Sequence, residues 1–256
     1  MIDLHTHILP DWDDGAADWE TAERMLALAR EDGIGRICLT PHIYRKTKHG
    51  DDPEALRDRM NEFIAKTKSS LMELYAGAEV YIHPDMAQNI KEHGLTVNGS
   101  RYVFIEFPAE HVPNGTPELI FQITIRGFVP IISHPERNAV FANKPGVLFE
   151  LVGMGALGQV TAQSLTGEFG RNTRDAAERL LKLNLVHLIA SDAHNDGGRP
   201  PRLSEALERA AKVVGEEKAE AMVMDVPAAI LQDQEVPEFG DPIAPSRKKW
   251  QHFFNW

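Results

Sequence analysis

The first seven residues carry the side chains around which the rest of the chain is organised. In Met-Ile-Asp-Leu-His-Thr-His, uncharged residues alternate with ionisable ones, which is the period of a β-strand. Residues i and i+2 of a strand project from the same face, so His5 and His7 are expected to stand about 6–7 Å apart at Cβ. Two imidazoles at that separation can bind one metal ion, although the same pair could also simply face solvent.

Further side chains of the types that bind metals end the other strand-like runs. Asp192 and His194 repeat the i, i+2 spacing after the last run, and Asp14 lies in the acidic loop after the first run. The candidate ligands are nine: His5, His7, Asp14, His42, Glu79, Glu106, His134, Asp192 and His194. One zinc-like ion needs three or four protein ligands, so nine indicate two or three ions that share a bridging carboxylate. Asp13 competes with Asp14 for the loop position.

The charge of such a site favours an anionic substrate. Three divalent ions outweigh the four candidate carboxylates and leave the site cationic. Arg137 follows His134 by three residues, and Arg199 lies in Asp-Gly-Gly-Arg-Pro-Pro; both can bind phosphate oxygens, or form surface salt bridges instead. We therefore expect a phosphate ester as substrate, with hydrolysis by attack of a metal-bound hydroxide on phosphorus. Glu136 could act as an acid behind the ligands or lie on the surface as a solvated charge.

The elements that must position these residues alternate between strand-like and helix-like runs. The predicted strands are 2–7, 36–42, 74–81, 102–107, 129–134, 157–163 and 186–192, and the predicted helices include 19–31, 53–70, 117–126, 171–183 and 202–214. Seven short apolar strands with intervening helices indicate a parallel sheet that is buried on both faces. One closed α/β barrel of seven strands fits this length, and the C-terminal strand ends of such a barrel meet at one mouth.

Composition excludes several classes of protein. The 256 residues carry a net charge of −11, which argues against a broad nucleic-acid surface and disfavours a nuclease. The single cysteine, Cys38, lies in an apolar run and is expected to be a core residue. Neither a signal peptide nor a membrane-spanning run is visible, so a cytoplasmic location is expected.

Gly153-Met-Gly-Ala-Leu-Gly158 matches a dinucleotide motif, but a helix-like run precedes it and a strand follows, so it is interpreted as a turn.

The chain changes character after residue 234. We predict one domain over residues 1–234 and a Pro-rich linker with a basic, aromatic tail over residues 235–256. The tail, Arg-Lys-Lys-Trp-Gln-His-Phe-Phe-Asn-Trp, could pack on its own domain. Alternatively, it could serve self-association or contact with a membrane surface.

The ordered motifs resemble those of a known family. The motifs are His5-Thr-His7, Asp14-Gly15, Thr-Pro-His42, Gly-Ala-Glu79, Ile-Glu-Phe107, Ser-His-Pro-Glu-Arg137 and Ser-Asp-Ala-His194 followed by Arg-Pro-Pro201. This series is similar to that of the PHP (polymerase and histidinol phosphatase) superfamily. Within it, the chain resembles the bacterial metal-dependent protein-tyrosine phosphatases of capsule and exopolysaccharide operons.

The resemblance implies a distorted seven-stranded barrel and a trinuclear site, commonly loaded with manganese, with iron or zinc as other options. It implies that His5, His7, Glu79 and Asp192 bind one ion, that Glu79, Glu106 and His134 bind a second, and that Asp14, His42 and His194 bind a third. It also implies catalytic roles for Arg137, Arg199 and His134, with both arginines contacting phosphate. The implied substrate is phosphotyrosine on the tail of a bacterial tyrosine kinase.

Two other functions stay open at this point. The same chemistry could act on a small molecule such as histidinol phosphate, since most of the ligands would be shared. Alternatively, the barrel could be a metal-stabilised binding module without turnover.

Overall fold

A computed structural model describes residues 1–45, 49, 51–67, 72–238 and 240–246 of the chain. Within these residues the strands are β1 (Ile2–Thr6), β2 (Arg36–Leu39), β3 (His42–Ile43), β4 (Glu73–Ala76), β5 (Glu79–Tyr81), β6 (Tyr102–Glu106), β7 (Val129–Ser133), β8 (Leu157–Thr161) and β9 (Leu188–Ala190). The helices are α1 (Trp19–Glu31), α2 (Pro53–Thr67), α3 (Met86–His93), α4 (Thr116–Thr124), α5 (Ala139–Asn143), α6 (Pro145–Gly153), α7 (Ala162–Thr166), α8 (Arg171–Lys182), α9 (Ser204–Val214), α10 (Glu216–Ala221) and α11 (Asp225–Leu231).

The strands form two parallel sheets. One sheet has the order β1-β2-β4, and the other has the order β3-β5-β6-β7-β8-β9. The prediction of an α/β fold with parallel strands is confirmed. The edges β1 and β9 approach each other through one parallel bridge, Thr6 to Ala193, and two backbone hydrogen bonds. In these bonds Asp192 N–H donates to the His5 carbonyl (2.8 Å) and His7 N–H donates to the Ala193 carbonyl (2.8 Å).

The prediction of seven strands in one closed barrel is corrected by the structure, because the described residues form nine strands in two sheets. The second and third predicted strands are each divided in two. The second is interrupted at Thr40 and Pro41, because proline has no N–H to donate to a ladder. The third is interrupted at Gly77 and Ala78, where a Cβ on Gly77 would lie 2.9 Å from Cys38 Sγ.

A bulge in β1 changes the alternation that the sequence indicates. Asp3 pairs with Ile37 and Thr6 with Leu39, so three steps along β1 match two steps along β2. Leu4 belongs to the apolar cluster that includes Phe104, and the Phe104 ring lies 4.9 Å from the ring of His5. The extra residue therefore brings both Leu4 and His5 to the inner side.

Helix α1 has the predicted bounds because its two ends carry clear signals. The side chain of Asp18 accepts a hydrogen bond from Thr21 N (2.8 Å) at the N-terminus. Gly33, just past the helix, has φ = 85°, which suits a glycine after a helix end. The buried face includes Ala22, Met25 and Ala29, as the apolar stripe predicts.

Two apolar clusters cover the two faces of the sheets. The larger includes Ile105 and Ile132 together with helical residues such as Met25 and Leu180. The smaller holds side chains from the opposite faces of the strands, packed with residues of α11. Cys38 is fully buried in this second cluster, and burial raises the pKa of its thiol, so its prediction as a core residue is confirmed.

The glycine-rich motif is a turn between α6 and β8, as predicted. Helix α6 ends at Gly153, Gly155 has φ = 97°, and Gly158 lies in β8. A Cβ on Gly158 would lie 2.3 Å from the carbonyl oxygen of Leu185, so this glycine permits close approach of two backbones.

The described helices are all too short or too polar to span a membrane. The division at residue 234 stays a prediction. Residues 247–256, which carry the basic and aromatic part of the tail, lie outside the described residues.

We predict that Gly158→Ala lowers the free energy of unfolding by about 1–3 kcal/mol, because the added methyl group must displace the Leu185 backbone. Gly153→Ala is the matched control, since a Cβ there meets no atom within 4 Å. Urea denaturation followed by circular dichroism measures both variants. Equal stability of the two variants would contradict the close approach.

Candidate metal centre

The nine predicted ligands come together at one mouth of the fold. His5 lies in β1, Glu106 lies at the end of β6, and the others follow β1, β7 and β9, except for His42 and Glu79. These two were predicted to end strands, but they are the first residues of β3 and β5, because the second and third predicted strands are each divided just before them. Eight of them are buried, and the exception is Asp14, whose side chain is 57% exposed. His134 takes a left-handed conformation (φ = 34°) directly after β7, and Asp192 does so after β9 (φ = 52°). These strained positions aim both side chains into the site.

The two histidines of the first motif converge on one point. His5 Nε2 and His7 Nε2 are 3.2 Å apart. Asp192 Oδ1 lies 3.6 Å from the first of these atoms and 3.4 Å from the second. The i, i+2 spacing therefore places both imidazoles as predicted, with a carboxylate from the end of the sequence beside them.

Glu79 stands at the centre of the cluster. Its Oε2 lies 3.3 Å from His5 Nε2, 3.5 Å from His7 Nε2 and 2.9 Å from His42 Nδ1. Its Oε1 lies 3.2 Å from His134 Nε2. One carboxylate that faces four imidazoles has the placement required of a bridging ligand.

The remaining ligands surround His42. Its Nε2 lies 3.3 Å from Asp14 Oδ1, and its Nδ1 lies 3.4 Å from Glu106 Oε2. His194 Nε2 is 3.4 Å from the same Asp14 oxygen. His42 thus lies between two groups of ligands, whereas the resemblance assigns it to the third ion alone.

The donors fit divalent transition-metal ions. Three groups have ligand atoms that all lie within 4.8 Å of one another: His7, Asp14, His42 and His194; His5, His7 and Asp192; and His42, Glu79 and Glu106. Although Glu79 Oε2 and Glu106 Oε2 lie close to His42 Nδ1, these three atoms and Glu79 Oε1 are buried and make no contact of hydrogen-bond geometry among the described residues. Buried polar atoms are rarely left in this state, and mixed imidazole and carboxylate donors suit zinc, manganese or iron.

Proximity of the charges shifts the pKa values of the cluster in opposite directions. Burial opposes ionisation of Glu79, but His5 and His42 outweigh burial and hold its pKa well below the usual range. Burial and repulsion by Glu79 raise the pKa of Glu106 to about 7. Burial and His7 disfavour the imidazolium of His42, yet Glu79 and Asp14 overcome them and raise its pKa to about 9. Without metal ions, protons occupy part of the site.

Asp13 and Asp14 have different positions. Asp13 Oδ2 lies 2.7 Å from His7 Nδ1 and accepts a hydrogen bond from the backbone of His42 (2.9 Å), while its Oδ1 accepts one from Gly15 N (2.9 Å). Asp13 therefore binds the nitrogen of His7 that faces away from the cluster, and Asp14 faces the cluster itself. Gly15 permits this turn, because a Cβ there would lie 1.9 Å from the His7 carbonyl oxygen.

Gln159 in β8 was not singled out by sequence reasoning. Its Oε1 lies 3.0 Å from His5 Nδ1 and accepts a hydrogen bond from the backbone N–H of His134 (3.3 Å). An amide oxygen can only accept, so His5 Nδ1 carries the proton and Nε2 keeps its lone pair for the cluster. A polar residue in the middle of an apolar strand was the only available signal.

Arg137 and Arg199 both lie against Asp192. Arg199 Nη2 donates to Asp192 Oδ2 (2.6 Å) and to the Asp192 carbonyl (3.0 Å), and Arg137 Nη1 forms a short hydrogen bond with the same Oδ2. The two arginines therefore reach the edge of the cluster, as the sequence predicts. The Nε–H of Arg199 is buried and has no acceptor among the described residues.

Two further charged residues complete the surroundings. Glu136 is buried, and its Oε1 accepts hydrogen bonds from Thr161 N (3.0 Å) and Ser164 Oγ (2.6 Å), so the interpretation as a solvated surface charge is wrong. Arg45, which sequence reasoning missed, lies 3.2 Å from Glu106 Oε1. Arg45 lies in a loop and belongs to no short motif, so the sequence carries no signal for its position beside Glu106.

Comparisons with known proteins identify the family to which the chain belongs. The family model described as capsular polysaccharide synthesis, CpsB/CapC, matches residues 1–232. The tyrosine-protein phosphatase YwqE of Bacillus subtilis is 36% identical over 99% of this chain and 100% of its own. The putative tyrosine-protein phosphatase CapC of Staphylococcus aureus is 38% identical over 80% of this chain and 81% of its own.

Solved structures show the same relationship. One solved structure belongs to a crystallographic study of YwqE from Bacillus subtilis and CpsB from Streptococcus pneumoniae, which are described there as metal-dependent tyrosine phosphatases. It superposes on this chain with a TM-score of 0.90. It is 33% identical and covers 96% of this chain and 100% of its own. A histidinol phosphate phosphatase of Lactococcus lactis has a TM-score of 0.54 at 14% identity, covers 85% of this chain and 93% of its own, and shares the fold.

We predict that the affinity of the purified chain for Mn²⁺ rises between pH 6.5 and 9. At a pH below its pKa of about 9, His42 must release a proton before it can bind a metal ion. Glu106 must likewise release a proton at a pH below its pKa of about 7. Each such proton weakens binding roughly tenfold per pH unit below its pKa. Isothermal titration calorimetry over this range, repeated in two buffers of different ionisation enthalpy, measures both the affinity and the protons released. An affinity that does not change with pH would contradict this arrangement of charges.

Proposed function

The chain belongs to the CpsB/CapC family of capsular polysaccharide synthesis, and from this we propose that it is a metal-dependent protein-tyrosine phosphatase. The observation that carries the proposal is the convergence of five imidazoles and four carboxylates, with Glu79 facing four of the imidazoles. The relative YwqE, which matches 99% of this chain and 100% of its own, is named a tyrosine-protein phosphatase. A metal-stabilised binding module without turnover would need the ligands but not the two arginines at the edge of the cluster.

We propose that the site holds three divalent ions, with manganese as the first candidate. His5, His7, Glu79 and Asp192 would bind one ion; Glu79, Glu106 and His134 a second; and Asp14, His42 and His194 a third. Support comes from the buried oxygens of Glu79 and Glu106 that lack hydrogen-bond partners. When bound, the ions supply Lewis acidity and lower the pKa of water toward neutrality.

The chain's own residues bind and orient the phosphate group. Arg199 has a buried Nε–H without an acceptor, which can donate to a phosphate oxygen. Arg137 is held beside it by their shared contact with Asp192 Oδ2, and its side chain is 32% exposed. The two guanidinium groups would neutralise the charge that develops on the phosphate oxygens and the leaving oxygen.

The proposed substrate is phosphotyrosine on the tail of a bacterial tyrosine kinase, and hydrolysis would take place in the cytoplasm. The loop that could grip such a tail, residues 43–50, lies partly outside the described residues. Contact of the C-terminal tail with a second copy or a membrane surface stays a prediction. A small-molecule substrate such as histidinol phosphate is the alternative, and the likeness to a histidinol phosphate phosphatase concerns the fold alone.

Phosphate release from a phosphotyrosine peptide and from histidinol phosphate, measured side by side with the Mn²⁺-loaded protein, tests this choice. We expect turnover of the peptide with the higher kcat/KM. Turnover of histidinol phosphate alone would overturn the assignment to protein tyrosine phosphate while keeping the phosphomonoesterase chemistry.

We predict that Arg137→Ala lowers kcat on the phosphotyrosine peptide by about 10²-fold or more, because a charge that stabilises the transition state is lost. His134→Ala is expected to have an effect of the same order. The metal content of each variant is measured by mass spectrometry, since Arg137 also contacts the proposed ligand Asp192.

Arg126→Ala is the matched control, because this exposed arginine follows α4 and its side chain donates a hydrogen bond to Gln122 O in that helix (2.8 Å). Wild-type turnover by a folded Arg137→Ala protein would remove the proposed phosphate role of this residue.

A further inference from the structure

Both arginines at the edge of the cluster pack against one aromatic ring. The guanidinium carbon of Arg137 lies 5.0 Å from the ring centroid of Phe169, and that of Arg199 lies 5.7 Å from it. These distances are typical of cation–π contacts. Phe169 is partly exposed in the short connection between α7 and α8, which follows the C-terminal end of β8. The ring therefore lies at the mouth where substrate must enter.

A buried glutamine holds the segments that carry Phe169 and Arg199 next to each other. Gln163 Nε2 donates to the carbonyl of Gly198 (2.9 Å), the residue before Arg199. The same nitrogen forms a short hydrogen bond with the side chain of Glu168, the residue before Phe169. Because one side chain ties both segments, the distance between the ring and the guanidinium group is a built feature rather than a chance approach of two loops.

We propose that Phe169 determines specificity for aryl phosphates by packing against the aromatic ring of the substrate. The proposal rests on the phosphatase function above and deepens it, since it names the part of the chain that selects the group beyond the phosphate. The residue is also a positioning residue for Arg137 and Arg199, and the two roles make different predictions.

The geometry explains why this ring is suited to that selection. If a phosphate is held by Arg137 and Arg199, whose side chains are partly exposed, only the solvent side of the site leaves room for the group on its ester oxygen. The ring of a phosphotyrosine begins one bond beyond that oxygen, within reach of a side chain that touches both guanidinium groups. An alkyl phosphate such as phosphoserine presents a single methylene at this point and gains little from an aromatic neighbour. Contacts between two aromatic rings change affinity by roughly two- to twelvefold.

The experiment compares Phe169→Leu with Phe169→Tyr, which keeps the ring, and with Phe121→Leu as a control. Phe121 is 57% exposed on α4. Binding of benzylphosphonate and methylphosphonate to the Mn²⁺-loaded proteins is measured by calorimetry. Metal content and melting temperature are first measured for each variant, to show that it is folded and loaded like the wild type. We expect Phe169→Leu to weaken benzylphosphonate about five- to tenfold and methylphosphonate less than twofold, while the other two variants resemble the wild type. If Phe169→Leu does not fold, Phe169→Met replaces it.

Kinetics give a second readout of the same contact. Two peptides of one sequence, which carry either phosphotyrosine or phosphoserine, are compared by kcat/KM. For each protein, kcat/KM on the phosphotyrosine peptide is divided by kcat/KM on the phosphoserine peptide, and comparison of this preference between variant and wild type cancels the difference in leaving-group reactivity. We expect the preference to be about fivefold lower in Phe169→Leu than in the wild type, mainly through a higher KM for the phosphotyrosine peptide.

Three outcomes decide between the roles. Equal weakening of both phosphonates shows that Phe169 acts only by positioning the arginines and overturns the specificity proposal. Unchanged binding of both phosphonates overturns it as well. Failure of the wild type to hydrolyse any phosphomonoester would instead overturn the proposed function, while the phosphonate comparison would still report whether Phe169 contacts an aryl group.

Discussion

The structure depends on how the chain accommodates buried ionisable groups at one mouth. Five imidazoles and four carboxylates share this space, and eight of the nine are buried. Burial disfavours the charged form of each carboxylate, and burial together with repulsion by Glu79 raises the pKa of Glu106 to about 7. Cations relieve this repulsion. In the metal-free chain His5, His7 and His42, whose pKa values are raised by the neighbouring carboxylates against the effect of burial, supply positive charge, and in the loaded chain the metal ions would replace their protons.

Asp192 joins the two halves of the site. Its Oδ1 faces His5 and His7, whereas its Oδ2 accepts from Arg137 and Arg199. The positions of the arginines that would bind phosphate therefore depend on a residue that would bind metal. The outer nitrogens of the two histidines are fixed in turn by Gln159 and Asp13, which leaves both Nε2 atoms aimed at the same point. Because each group is held by a second contact, the cluster is preorganised before substrate arrives.

Sequence reasoning identified the residues that gather at the mouth because they lie at strand ends, and strand ends can be found from apolar runs. Glu106 and His134 are examples, whereas His42 and Glu79 begin the short strands β3 and β5. It failed where the outcome depends on tertiary contacts. The bulge that turns both Leu4 and His5 inward follows from pairing with β2, and the third predicted strand is divided at Gly77, where the backbone comes close to Cys38. The division of the second predicted strand at Pro41 is a local effect that the sequence could have shown. The short helices α5 and α7 were missed because five residues are too few to show a helical period. Gln159 and Phe169 acquire their meaning only from partners that are distant in the chain.

The most direct test of the central claim, that this cluster of side chains holds several divalent ions around Glu79, is the metal content of the purified protein. Inductively coupled plasma mass spectrometry of the wild type and of Glu79→Gln, both dialysed after expression in manganese-supplemented medium, gives the number of ions per chain. We predict close to three equivalents of transition metal in the wild type and a loss of more than one equivalent in the variant, because Glu79 faces four of the five imidazoles. Less than one equivalent in a folded, active wild type, or an unchanged metal content in Glu79→Gln, would contradict it.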